Sequence, residues 1–560
     1  MMIVNRPKSV ASKKGVVLLI AVLSLTLCLS IGASLLMRNL SEKKSVDVEK
    51  FIIQADFLAD GGANHGLAEL KKRISAELTL QVAQISNSNT FRRYLTNPLG
   101  FLIDYAYIGG EERFRLSDDG NQAILNVNPL GLLTNIDGSY SARIVVTSGG
   151  SENPPNSDVF IFRYNYEIKA TGTVSSINKN INLFGNFVVT VSRDNFAKFA
   201  LFTNQHRSPQ GKVVWFTNQT NFQGPVHTND RFSFANNPSA HFTDDVTQHL
   251  TTARFYNNGR ELLLDANANA NIDVPIFDTT FERGVAEINL ESSLTSNDLK
   301  TQALGTMQEP GQNGIYVPNN NGEVTGGIYI RGDANEILLA TDANNNPTFR
   351  ITQGSTTKVI TVNYNSKTTR VETIGGSSVE YAGVPDGIAN EGIIIYCKSD
   401  ILSLRGTVQS NTKMTVSSER DIVITNHLRY QNYNPSPLNA EGFENLLGII
   451  SWGGNVRIGT AAPNDIEIHG IVMAPHGVFT VDDYDSGPSR GIATLLGGTI
   501  TDKYGPFGTF SGTQPLSGYG RNFVYDPRVL RGYIPPYFPY LENYRAIIDG
   551  LDTRPVWKRS

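Results

Sequence analysis

The stretch FIFRYNYEIKAT, residues 160–171, alternates without a break: Phe160, Phe162, Tyr164, Tyr166, Ile168 and Ala170 fall on one side, Ile161, Arg163, Asn165, Glu167, Lys169 and Thr171 on the other. Successive side chains of a strand point to opposite faces, so a period of two with one apolar set predicts an antiparallel strand, half in the core and half in water. SYSARIVVT (139–147) and INLFGNFVVTV (181–191) supply partners, and the Gly/Ser/Asn/Pro run at 149–157 supplies a turn. Residues 96–195 therefore read as a small antiparallel sheet.

Upstream the texture is helical. Residues 15–37, GVVLLIAVLSLTLCLSIGASLLM, carry no charge; at about 1.5 Å per residue they cross a hydrocarbon core of about 30 Å. Arg6, Lys8, Lys13 and Lys14 precede this transmembrane helix in a basic cytoplasmic leader, residues 1–14, and a polar remainder this long translocates largely regardless of flanking charge. No proline occurs between Pro7 and Pro98, and Phe51, Ala55, Leu58, Ala59, Gly62, Ala63, Gly66, Leu70 and Ile74 recur at helical spacing. The anchor is expected to continue as one extended helix over 38–95. Ala55, Ala59, Gly62, Ala63 and Gly66 form a helix-packing stripe of small residues against which another element can approach the backbone. The chain's own next domain and a neighbouring helix in a filament both suit it.

Composition narrows the field. With 48 Lys+Arg against 52 Asp+Glu, no basic excess exists to neutralise a phosphate backbone, so nucleic acid is not an expected partner. Two cysteines, Cys28 inside the apolar run and Cys397 far beyond it, exclude a disulfide framework and a cysteine zinc site.

Beyond the sheet, residues 196–325 read as an irregular β region. His227, Thr228, Asn229 and Asp230 form a polar knot, read as a tight turn whose side chains satisfy backbone groups. Asp265, Asn267, Asn269 and Asp273 alternate as calcium ligands do, yet Ala270 stands where an EF-hand has Gly and Ile276 where it has Glu. They are the only candidate metal ligands, and no cofactor is expected. From 326 to 512 short apolar runs recur: DILSLRGTV at Asp400, DIVIT at Asp421 and DIEIHGIV at Asp465, spaced 21 and 44 residues apart. This predicts a β-solenoid or parallel β-helix, with a β-sandwich as the alternative. Residues 513–560 form a Pro/aromatic C-terminal cap expected to cover an edge of the stack.

Such folds host carbohydrate-active enzymes, and a glycosidase needs paired carboxylates. Asp482, Asp483 and Asp485 crowd one loop near His476, but the remaining motifs of polygalacturonase-like enzymes are missing, as are G-x-S-x-G, H-E-x-x-H and a phosphate loop. The expectation is no enzyme, with a membrane-tethered hydrolase or lyase as runner-up.

Lys14-Gly15-Val16, the apolar helix and FIIQADFLADGGANHGLAEL (51–70) together resemble the N-terminal region of PilX-type type IV pilus assembly proteins, whose anchor begins after a Gly and runs into a Q-A-A-E-A-G-L stretch. The resemblance covers about the first 75 residues. It implies prepilin-type cleavage between Gly15 and Val16, although Ile20 stands where major pilins carry Glu. YGPFGTF (504–510), NFVYDPR (522–528) and PPYFP (535–539) resemble the uncharacterised domain joined to PilX-like N-termini. The resemblance implies a membrane-anchored structural or adhesive component of a minor-pilin-type assembly system. It would be a single-pass inner-membrane protein with a periplasmic or extracellular C-terminal domain, at the pilus or cell surface. The implied partners are the membrane, other pilus or pseudopilin subunits, and surface polysaccharide or a substratum.

Overall fold

The computed structural model describes residues 13–127, 138–154, 158–217, 220–235, 240–257, 260–265, 275–290, 294–433, 444–511, 514–529, 532–551 and 553–559. The fold is mainly β with a long N-terminal helix, and the chain divides into two compact units, 1–191 with 548–560, and 192–547.

In the first unit the helix Lys13–Lys71 passes through a π-helical stretch, Lys72–Leu78, into Thr79–Val82. It stops short of residue 95 because Ser86-Asn87-Ser88-Asn89 offers its own turn chemistry: the Asn87 side chain takes the Asn89 N–H at 2.9 Å, and such local bonds compete with a helix ladder. Its first half is bare, with Val16 59% and Leu36 64% exposed, whereas Ala55, Ala59, Ala63, Leu70 and Ile74 are fully buried. The strands Ala123–Val127, Ser139–Glu152, Phe160–Val174 and Ile177–Asn195 pair antiparallel in sequence order. Phe160, Phe162, Tyr164, Tyr166, Ile168 and Ala170 are buried, as their alternation requires. A last strand, Val556–Arg559, pairs antiparallel with Ile181–Phe184 and sets Trp557 opposite Leu183.

The second unit is organised around two ladders. In the first, Val246–Gln248, Val226–Thr228, Leu201–Gln205, Thr499–Lys503, Ile471–Ala474, Leu446–Ser451, Lys413–Ser418, Ile393–Cys397 and Ile328–Arg331 lie side by side, each parallel to the next. In the second, Glu336–Thr341, Ile401–Val408 and Ile422–Tyr430 run parallel, followed by Glu467–His469, Ser489–Leu496 and Gln514–Val524. Ile395, Val416, Ile449 and Val472 of the first ladder share a core with Leu404, Ile424, Ile458 and Ile468. The opposite face of the first ladder is covered as well: Ile394, Tyr396, Ile450 and Met473 pack with Leu299 and Ala303 of the helix Ser296–Leu304 and with Phe538. Parallel strands buried on both faces read as continuous apolar runs, and Ile393–Cys397, IIIYC, is buried at every position.

Three sequence expectations change here. Residues 196–325 are not irregular throughout: Leu201–Gln205 pairs in register with Thr499–Lys503, so this stretch extends the ladder with rungs of three to five residues, too short to announce themselves. The Pro/aromatic block covers a face, not an edge: Pro536 and Phe538 lie against Gly392 and Gly448, and the Thr415 hydroxyl donates to the Pro536 carbonyl. The repeat is real between Asp400 and Asp421, where Ile401 faces Ile422, but the next rung there is Val456, so Asp421's neighbour is Asn455 and not Asp465. The aspartates recur because each satisfies the rung above. Asp400 N donates to Asp333 at 3.3 Å, Asp421 N to Asp400 at 3.0 Å, Asn455 N to Asp421 at 2.8 Å and Val478 N to Asn455 at 3.0 Å.

Candidate functional site

The small-residue stripe meets the sheet directly. A Cβ on Gly66 would lie 2.7 Å from Ile168 Cγ2, and one on Gly62 2.9 Å from Tyr140 Cδ2. From the other side, a Cβ on Gly172 would overlap the Ala55 carbonyl and stand 2.5 Å from Ala59 N. Glycine and alanine are required because two backbones are in contact. Tyr140 OH bonds His65 Nδ1 at 2.9 Å beside this seam, and Arg559 reaches Asp56 at 2.9 Å and Asp60 at 3.1 Å on the same helix. Ala55, Ala59, Gly62, Ala63 and Gly66 are thus occupied by the chain's own sheet, while the apolar run from Val16 to Leu40 is exposed, as are Val46, Val48, Ile53 and Phe57 farther along the helix. Gly15 and Val16 sit in the first turn of that helix.

The structure separates the runner-up catalytic quartet. Asp482 follows the strand Phe479–Val481 and accepts from Arg457 Nη1 at 2.7 Å. Asp483 takes a left-handed conformation (φ +51°) in a turn closed by Ser486 N to its carbonyl at 3.0 Å. These acids and Asp485 line a shallow depression with Asn455 and Thr480. His476 follows a different rung, Ile471–Ala474, and lines another depression with Glu419 and Trp452.

The polar knot at 227–230 is a closed network. His227 bonds Thr247 Oγ1 at 2.8 Å and Asn229 Oδ1 at 2.9 Å; Asn229 Nδ2 donates to Asn204 Oδ1 and to the Ile288 carbonyl. Burial pushes the His227 imidazole down to about 4, so it stays neutral. His469 is likewise pushed down to about 4, mainly by burial, and its Nδ1 accepts from Tyr430 N at 3.0 Å. Of the calcium candidates, Asp265 is exposed, while Asn267, Asn269 and Asp273 lie outside the described residues. Among the described residues no cluster of His, Cys, Asp and Glu has the arrangement of a metal site. Arg331-Gly332-Asp333 is committed internally: Arg331 pairs with Glu309 at 3.4 Å, and Asp333 receives Asp400 N.

Sequence reasoning missed one arrangement because register alone creates it. At the C-terminal end of the first ladder's rungs, register puts Glu419, Trp452, Pro475, Asp502, Asn204 and Asn229 in a single row, with Lys398 and Arg331 continuing it beyond Glu419.

A family model described as a domain of unknown function, DUF4900, matches residues 161–249. Among solved structures, the competence-associated pilin ComZ from Thermus thermophilus is similar over 91% of this chain and 97% of that one, at 11% identity and a TM-score of 0.30. No curated protein matches.

Proposed function

We propose that this chain is a membrane-anchored structural component of a type IV pilus-like assembly, with the second unit serving as a β-solenoid held outside the cytoplasm. One observation carries the reading. A single helix is bare and apolar over its first half and docked backbone-to-backbone on an antiparallel sheet over its second, the division of labour needed by a subunit whose helix lies in a bilayer or among the helices of its neighbours. The solenoid reading is supported by parallel rungs that return after 21, 33, 23 and 27 residues, at Ile393/Met414, Met414/Leu447, Gly448/Ile471 and Val472/Thr499. Presentation is favoured over catalysis because Asp482, Asp483 and Asp485 line one depression and His476 another.

The test is fractionation of cells carrying the full chain, with surface fibres sheared off and N-termini sequenced. The chain is expected in the inner membrane and, cut to begin at Val16, in the fibre fraction. A chain that still sediments with membranes after deletion of residues 16–37, or that never meets a pilin-like subunit in cross-linking, overturns the reading.

A further inference from the structure

Five residues of this row, Glu419, Trp452, Pro475, Asp502 and Asn204, line two adjoining depressions that share Leu290, Pro475 and His476 and form one groove in the second unit. Glu419, Trp452 and His476 line one end, a depression of about 620 Å³. His476 also lines the next, of about 150 Å³, with Asp502, Asn204 and Glu287. Parallel neighbours lie about 4.8 Å apart, so the steps from Glu419 through Trp452, Pro475, Asp502 and Asn204 span about 20 Å, each offering one side chain at a spacing close to the length of a pyranose ring.

From this geometry we infer that the groove binds a linear glycan that is neutral or carries amino groups. The floor side chains are held in place from below. Trp452 Nε1 donates to Ser417 Oγ at 2.9 Å, which fixes the indole plane. Glu419 accepts from Tyr396 OH at 2.7 Å through Oε1, and Asp502 from Asn204 Nδ2 at 2.9 Å through Oδ1. A carboxylate has about four acceptor positions, so each keeps capacity for a ligand hydroxyl. A fixed indole face suits the C–H face of a sugar, and carboxylates and amides suit its hydroxyls. Charge selects further: Glu419, Asp502 and Glu287 line the groove against one lining lysine, Lys300, which shares Glu309 with Lys398 and Arg331, so the lining carboxylates outnumber the lining cation and a polyanion is disfavoured. An extended peptide is disfavoured because the described rungs that floor the groove are each paired with a neighbour within the ladder, so they offer no free edge there for strand addition. The inference is independent of how the chain is anchored.

The test uses the full chain in nanodiscs, titrated with cellohexaose, chitohexaose, its deacetylated form and polygalacturonate, and followed by tryptophan fluorescence and calorimetry. At least one of the first three is expected to bind with an affinity that rises from dimer to hexamer. Glu419→Gln, which keeps the bond from Tyr396, and Trp452→Phe are each expected to weaken binding at least tenfold with the melting curve unchanged. Asp483→Ala, outside the groove, leaves it unaltered. If Trp452→Phe fails to fold, Glu419→Gln alone decides. The inference is overturned if none of the three binds at millimolar concentration, if polygalacturonate binds best, if both groove variants bind like the parent, or if an unstructured peptide library displaces the bound sugar.

Discussion

The strands Phe160–Val174 and Ile393–Cys397 draw on the same apolar residues and differ in what lies on their second face. The first buries alternate residues only, and Arg163 and Lys169 stand in water; the second buries all five. One is a meander covered by a helix on one side, its neighbours adjacent in sequence. The other is a rung between an inner core and an outer layer of helix and C-terminal segment, its neighbouring strands 21 and 67 residues away in sequence. Local sequence specifies the first; register between distant rungs specifies the second.

Acid should separate the two regions most. His206, His227 and His469 all belong to the second unit, and burial pushes them down to about 3, 4 and 4. An imidazole depressed in the folded state takes its proton first when unfolded. The stability it confers is therefore complete above its ordinary value near 6.5 and lost as pH falls toward 4, at up to about 1.4 kcal/mol per pH unit for each histidine. Glu309, held down to about 2 chiefly by Lys398, extends the loss below about pH 4.5. Hydrogen exchange, corrected for intrinsic rates, should show rungs such as Leu201–Gln205 losing protection between pH 6.5 and 4.5 while Phe160–Val174 keeps it. Equal losses in both would sink the assignment.

Substitutions at consecutive positions come next in size. Ile449→Ala and Ile450→Ala remove side chains from opposite covered faces and should each cost about 2–5 kcal/mol. Ile168→Ala should cost about as much, but its neighbour Lys169→Ala within about 0.5 kcal/mol. Denaturant melts read for each unit settle it, and a cheap Ile450→Ala would show that the outer layer is not packed core.

That contrast explains what the sequence disclosed. The apolar run 15–37, the small stripe from Ala55 to Gly66 and the alternation at 160–171 are all local periodicities, and each appears where expected. The Asp400/Asp421 spacing also survived, because the carboxylate of one serves the amide of the other. Asp465 did not: it accepts Ile492 N at a different corner, and a shared D-I-x-I pattern cannot tell one corner from another. The rungs at 201–205, 226–228 and 246–248 were illegible because runs of three to five residues carry too little period. The row from Glu419 to Asn204 was invisible for the same reason, since residues hundreds of positions apart become neighbours only through register.

A third effect is confined to the first unit. Gly172→Leu should push the helix from the sheet, with a loss of about 1–3 kcal/mol and faster proteolysis near Ala55, whereas Gly61→Ala, in mid-helix with open space around its Cβ, should gain about 0.5–1 kcal/mol. If Gly172→Leu leaves the helix protected, the backbone contact is not what docks it.

The smallest effect concerns the tail. Arg559 reaches Asp56 and Asp60 from a strand exposed along its length, and its own side chain is 60% exposed. Exposed ion pairs contribute about 0–1 kcal/mol and are screened by salt, so Arg559→Ala should change the melt by less than about 1 kcal/mol, and by nothing measurable near 1 M salt. The body's rung-to-rung bonds answer differently: Asp421→Ala removes an ion pair with Arg457 at 3.0 Å and also leaves Asn455 N without its acceptor in a half-buried corner, and the cost of that orphaned amide, about 1–3 kcal/mol, is one that salt does not erase. The two aspartate sets thus share a residue type and divide on salt. An Arg559→Ala loss that persists at high salt would mean the tail is packed as tightly as a rung, and the contrast between the two regions would have to be redrawn there.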